Sequence, residues 1–68
     1  YKEALEAFDK AIAIDPNFAD AWNNKGVALA KLKRYEEALE AFDKALEINP
    51  KFAEAKNARD LCKKLLEN

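Results

Sequence analysis

Apolar residues recur along this chain three and four positions apart. Ala4, Leu5, Phe8, Ala11 and Ile12 form one such stripe, the spacing of a helix with one buried face. It predicts a first helix over roughly 2–14. Pro16 closes it, because proline donates no backbone hydrogen bond and drives Asp15 out of the helical region. The same reading predicts a second helix over roughly 20–33. A third over 36–48 ends before Pro50, and a fourth covers 53–66. Only Lys33, Arg34 and Tyr35 lie between the second and third, so neighbouring helices must run antiparallel.

The pattern is also periodic on a longer scale. Tyr1 and Tyr35, Phe8 and Phe42, Pro16 and Pro50, and Phe18 and Phe52 are each 34 residues apart. Residues 1–18 match 35–52 at 13 of 18 positions, whereas 19–34 match 53–68 at only four. A fixed period of this length marks stacked helical repeats, in which each unit buries its apolar face against the next.

Within residues 19–52, Trp22, Gly26, Ala38, Phe42, Ala45 and Pro50 stand at the spacings of the tetratricopeptide repeat signature, and the chain resembles that family throughout. Two positions depart from the signature: Lys25 stands at a usual leucine and Leu29 at a usual aromatic residue. The resemblance implies an all-α fold of antiparallel helix pairs stacked as a short right-handed solenoid, with four helices in a shifted repeat frame. Residues 1–68 then form a single domain. In it, 1–18 is the second helix of a repeat, 19–52 a full repeat and 53–68 a C-terminal capping helix.

Gly26 is the only glycine and falls mid-helix, where glycine costs about 1 kcal/mol relative to alanine. That cost implies a close helix approach. We expect Ala38 and Ala45 to face Gly26, with Trp22 and Phe42 as the large fillers around it. One repeat later, Trp22, Gly26 and Leu29 become Lys56, Asp60 and Lys63. The face that would receive another helix is charged there, as expected of a terminal cap. Leu61, Leu65 and Leu66 are expected to hold this last helix to the body. Ala4, Leu5, Phe8 and Ala11 of the first helix should be partly uncovered, a surface available for self-association.

Composition removes whole classes of function. Ala, Glu, Lys, Leu and Arg make 42 of 68 residues, which supports helices. His, Met, Ser, Thr and Gln are missing, so the usual neutral-pH base, imidazole metal ligand and hydroxyl nucleophile are missing too. Only the phenols of Tyr1 and Tyr35 remain as hydroxyls. Glu36, Glu37 and Glu40 read as a solvated helix face, and Glu40 with Lys44 as local helix support. We therefore expect no enzyme, no cofactor and no metal. The net charge of −1 argues against nucleic acid and against a polybasic membrane anchor. The longest apolar run, Val27 to Ala30, is too short for a transmembrane helix. Cys62 alone cannot form an intrachain disulfide, and we expect a cytoplasmic setting. A chain that starts without Met reads as an excised or processed segment.

In stacked helix pairs the first helices line the concave face. The second helix would present Asp20, Asn23, Asn24, Val27 and Lys31 there, and the fourth Glu54, Asn57, Leu61 and Lys64. Amides, a small apolar centre and charges of both signs could grip an extended peptide or a helix. The resemblance therefore implies a protein–protein interaction scaffold with a protein or peptide ligand. One subfamily clamps the C-terminal carboxylate of heat-shock chaperones. Asn24 would match its asparagine, but its lysine and arginine fall on Glu54 and Ala58, so that function is not implied. A second expectation is a structural module, excised or designed, with no ligand of its own. It would form a homo-oligomer by head-to-tail or helix-exchange packing.

Overall fold

The computed structural model describes residues 2–67. Tyr1 and Asn68 lie outside the described residues, and with them the expectations placed on Tyr1. The described residues form four helices: α1 (Lys2–Ile14), α2 (Ala19–Lys31), α3 (Tyr35–Ile48) and α4 (Ala53–Glu67). α2 packs most extensively on α3, α3 on α4 and α1 on α2, while α2 touches α4 lightly and α1 does not reach α3. This is an all-α helical repeat. The Cα envelope measures 36 × 27 × 13 Å. The short dimension is one interhelix spacing plus the Cα radius on each side. The core is therefore one side-chain layer thick, and every helix keeps a solvent face.

The 34-residue period is reproduced bond for bond at the first and third helix ends. Asp15 N–H donates to Ala11 C=O and Asn49 N–H to Ala45 C=O, at 2.9 and 2.8 Å. The next residues turn on a side chain: Asn17 N–H donates to Asp15 Oδ1 at 3.1 Å and Lys51 N–H to Asn49 Oδ1 at 3.2 Å. Aspartate and asparagine can each accept this bond, which is why the substitution between copies is tolerated. Ion pairs between successive helices repeat as well. Lys25 meets Asp9 at 2.8 Å and Arg59 meets Asp43 at 3.8 Å, each pair one period from the other.

The α2–α3 connection uses a different stop. Lys33 takes φ 64°, in the left-handed region. Arg34 N–H donates to Leu29 C=O and Lys33 N–H to Ala30 C=O, both at 2.9 Å. This is a Schellman closure, normally built around glycine. It ends α2 at Lys31, two residues before the sequence pattern does. Arg34 then forks onto Glu37 at 2.9 and 2.6 Å. That pair is solvent-exposed and contributes little stability.

The core comprises Leu5, Ala28, Leu29, Ala38, Ala41, Phe42, Ala45, Ala55 and Cys62. Its tightest point is at Gly26, where the group nearest to an added Cβ is the ring of Phe42. A Cβ at Gly26 would lie 2.6 Å from Phe42 Cε1 and 2.7 Å from Cδ1. The ring is 1% exposed and walled in, so it cannot swing away. Ala38 and Ala45 are completely buried beside it and let the two backbones approach. Trp22 is half-buried against this core, its indole N–H donating to Pro16 C=O at 2.8 Å.

Two further expectations are corrected. Leu61, Leu65 and Leu66 do not hold α4 down; they are 58%, 41% and 41% exposed. Ala55 and Cys62 do so instead, at 0% and 3%. They are the period equivalents of Ala21 and Ala28, the small buried residues of α2. Lys44 pairs with Glu47 at 3.8 Å, whereas no pairing with Glu40 forms among the described residues.

Gly26→Ala is expected to destabilise the fold. The helix-propensity gain of about 1 kcal/mol is outweighed by overpacking of roughly 1–3 kcal/mol against an immobile ring. Urea unfolding should show a lower midpoint, and an unchanged or higher one would refute the close contact. Lys33→Gly should have the opposite effect, raising stability by about 1 kcal/mol through relief of the left-handed strain. Thermal melting followed by circular dichroism reads this directly.

Candidate functional site

Eight of the nine residues expected on the groove face are open to solvent. They are Asp20, Asn24, Val27 and Lys31 on α2, and Glu54, Asn57, Leu61 and Lys64 on α4. Val27 and Leu61 occupy equivalent positions one period apart and are 40% and 58% exposed. Each is an apolar side chain among charged and amide neighbours. The helices position them: α2 turns Trp22, Gly26 and Leu29 toward α3, which leaves Asp20, Val27 and Lys31 on the opposite arc.

Asn23 is the exception. It is 7% exposed, the one polar side chain among the buried residues described. Its Oδ1 has no hydrogen-bond partner there. A buried carbonyl oxygen left unpaired costs about 1–3 kcal/mol. Its period equivalent on α4, Asn57, is exposed, because no further helix packs beyond α4 among the described residues.

On the other side of α2, Lys25 bridges to Asp9 and also lies over the Trp22 ring, with Nζ 5.4 Å from the ring centroid. A lysine at the family's usual leucine position therefore keeps a packing role through its stem and adds a link to α1. A hollow of about 290 Å³ lies between α2 and α3 at this point, lined by Trp22, Leu29 and Ala41 and by Lys25, Glu37, Glu40 and Lys44. A smaller one of about 190 Å³ lies between α1 and α2, lined by Ala4, Phe8, Asn24, Val27 and Ala28.

The residues expected to self-associate divide. Ala4, Phe8 and Ala11 are half-buried, but Leu5 is 9% exposed and belongs to the core. The difference follows from helix geometry: Leu5 points at α2, and the other three lie on the adjoining arc.

No cluster of three or more Cys, Asp or Glu side chains is arranged to hold a metal among the described residues. No described helix is long and apolar enough to cross a membrane. Cys62 is buried, and burial pushes its thiol up from 9.0, since the thiolate would be poorly solvated. It is held as a neutral, unreactive hydrophobe. The folded state then binds the thiol proton more tightly than the unfolded state does. Its stabilising contribution is complete below about pH 9 and is lost as pH rises through the folded value. Cys62→Ala should tolerate alkaline pH better than the wild type. Paired urea titrations at neutral pH and at about pH 10 check this, and an equal loss in both proteins would contradict it.

Comparison with known proteins agrees with the geometry. Residues 19–52 match the family pattern described as tetratricopeptide repeat. Residues 1–33 match a second one, described as TPR repeat. An uncharacterized protein of Methanocaldococcus jannaschii is 53% identical over 34 residues, which cover 50% of this chain and 40% of that protein. The chain thus spans well under two thirds of the curated relative it matches. Repeats of this kind generally mediate protein–protein interaction. With α2 and α3 forming one complete helix pair and both patterns matching, the chain belongs to the tetratricopeptide repeat family.

Proposed function

We propose that the chain is a protein-interaction module that takes an extended peptide or a helix along the open face of α2 and α4. One observation carries this reading. Val27 and Leu61, equivalent residues of successive units, are both large, apolar and exposed among charged and amide neighbours. Around them, Asp20, Asn24 and Lys31 on α2 and Glu54, Asn57 and Lys64 on α4 supply donors, acceptors and both signs of charge. Such a surface suits a ligand with apolar side chains at regular intervals and a polar backbone. A cytoplasmic setting belongs to the same reading and accords with the single unpaired thiol.

Titration with a labelled peptide library, followed through the backbone amide signals of α2 and α4, tests the proposal. Val27→Glu combined with Leu61→Glu should weaken the selected peptide by roughly tenfold or more, because each contact buries an apolar side chain. Both residues are exposed, so helicity and melting temperature should hardly change. If no peptide moves these signals, the groove reading fails.

A further inference from the structure

α2 and α4 are equivalent helices of successive units. Both run antiparallel to α3, so they are parallel to each other, and they touch lightly. Each begins acidic and ends basic. Asp20 lies in the first turn of α2 and Lys31 in its last; Glu54 and Lys64 hold those places on α4. Side by side, the two helices carry a carboxylate rim at one end of their open face and an ammonium rim at the other. The exposed side chains of Val27 and Leu61 form an apolar row between the rims. Lys64 falls one residue before the equivalent of Lys31, and its flexible stem can reach the same rim.

Compensation of the helix dipole alone would put the same polarity on every helix. α1 and α3 do carry acidic residues in their first turns, but neither has a basic residue in its last. The full acidic-to-basic arrangement is confined to the two helices of the open face. Among the described residues, Asp20, Lys31, Glu54 and Lys64 also enter none of the ion pairs. Their charges stay available to a ligand.

We propose that this face takes an amphipathic helix of a partner polypeptide, lying across α2 and α4, whose apolar stripe is flanked by cationic side chains on one side and carboxylates on the other. The proposal rests on the groove reading above and deepens it by naming the ligand's chemistry. Asp20 and Lys31 are eleven residues apart, about 16 Å of helix, which leaves room for a ligand helix about 10–12 Å across. Neighbouring helix axes lie about 10 Å apart, or about seven residues of the ligand. The side chains that meet Val27 and Leu61 therefore fall at i and i+7, on one face of that helix. Val27 stands seven residues from Asp20 but four from Lys31, so the acidic rim is the more distant from the apolar row. Asp20 and Glu54 are short, and the ligand must reach them with lysine or arginine. Lys31 and Lys64 extend to meet short carboxylates. A ligand with one sign of charge on both flanks would meet repulsion at one rim.

Three capped helical peptides of equal length serve as probes, each with leucine at i and i+7. The first carries lysine on one flank of that stripe and glutamate on the other. The second has the same composition with both charges mixed on each flank, and the third has lysine on both flanks. In NMR titrations of the full chain, the divided peptide should bind about tenfold more tightly than the other two, with shifts at Val27 and Leu61. Raising salt to about 0.5 M should remove most of that advantage. Lys31→Glu with Lys64→Glu makes both rims acidic and should turn the preference to the all-lysine peptide. Adding Asp20→Lys and Glu54→Lys exchanges the rims. The divided peptide should then regain its affinity but lie in the opposite direction. A spin label at its N-terminus should broaden signals of one helix, α2 or α4, in the wild-type chain and of the other in this variant. All four charges are exposed, so circular dichroism should show unchanged helicity. Equal binding of the three peptides overturns the proposal and leaves the groove reading intact, as does an unchanged direction after the rims are exchanged. Binding of extended library peptides without any of the helices sinks this proposal alone, whereas silence from every peptide sinks both.

Discussion

One contact sets the geometry of this molecule: the Phe42 ring lying where a side chain of residue 26 would be. Glycine mid-helix is a local loss, and the structure offsets it with a fully buried aromatic ring and a short interhelix distance. Ala38 and Ala45 serve the same end from α3, having no bulk to hold the helices apart. With α2 and α3 fixed in this way, α1 docks through Leu5 and α4 through Ala55 and Cys62, and equivalent ion pairs, Asp9 with Lys25 and Asp43 with Arg59, link the successive helices.

Because α1 and α3 share most of their sequence, differences between them report environment rather than intrinsic preference. Phe8 is half-open and Phe42 is sealed. Ile14 is 86% exposed while Ile48 is partly covered. α3 has a helix on each side, α2 and α4, whereas α1 packs on α2 alone. The repeat therefore acts as an internal control, showing what a uniform building block does at the interior and at the edge of a stack.

The architecture was legible in the sequence because its determinants are local. Pro16 and Pro50 mark helix ends, and the 34-residue period reveals that neighbouring helices share one packing solution. What was not legible came from tertiary choice. Lys33 in a left-handed conformation cannot be read from a residue type that rarely adopts it, so the sequence pattern runs two residues past the end of α2. Three leucines at the end of α4 suggested an anchoring stripe. The actual anchor is Ala55 and Cys62, because the docking face is set by equivalence to Ala21 and Ala28 and not by bulk. The groove residues could be placed on a face by 100° geometry. The burial of Asn23 could not, since it depends on how its neighbours pack and not on the helix itself.

These differences set where the stack is least secured. In a quasi-one-dimensional stack, stability is a sum of units and nearest-neighbour interfaces. Among the described helices α1 packs on α2 alone, so within this set it is the element that opens at least cost. Asn24 and Val27 line the wall of the α1–α2 hollow and remain exposed on α2.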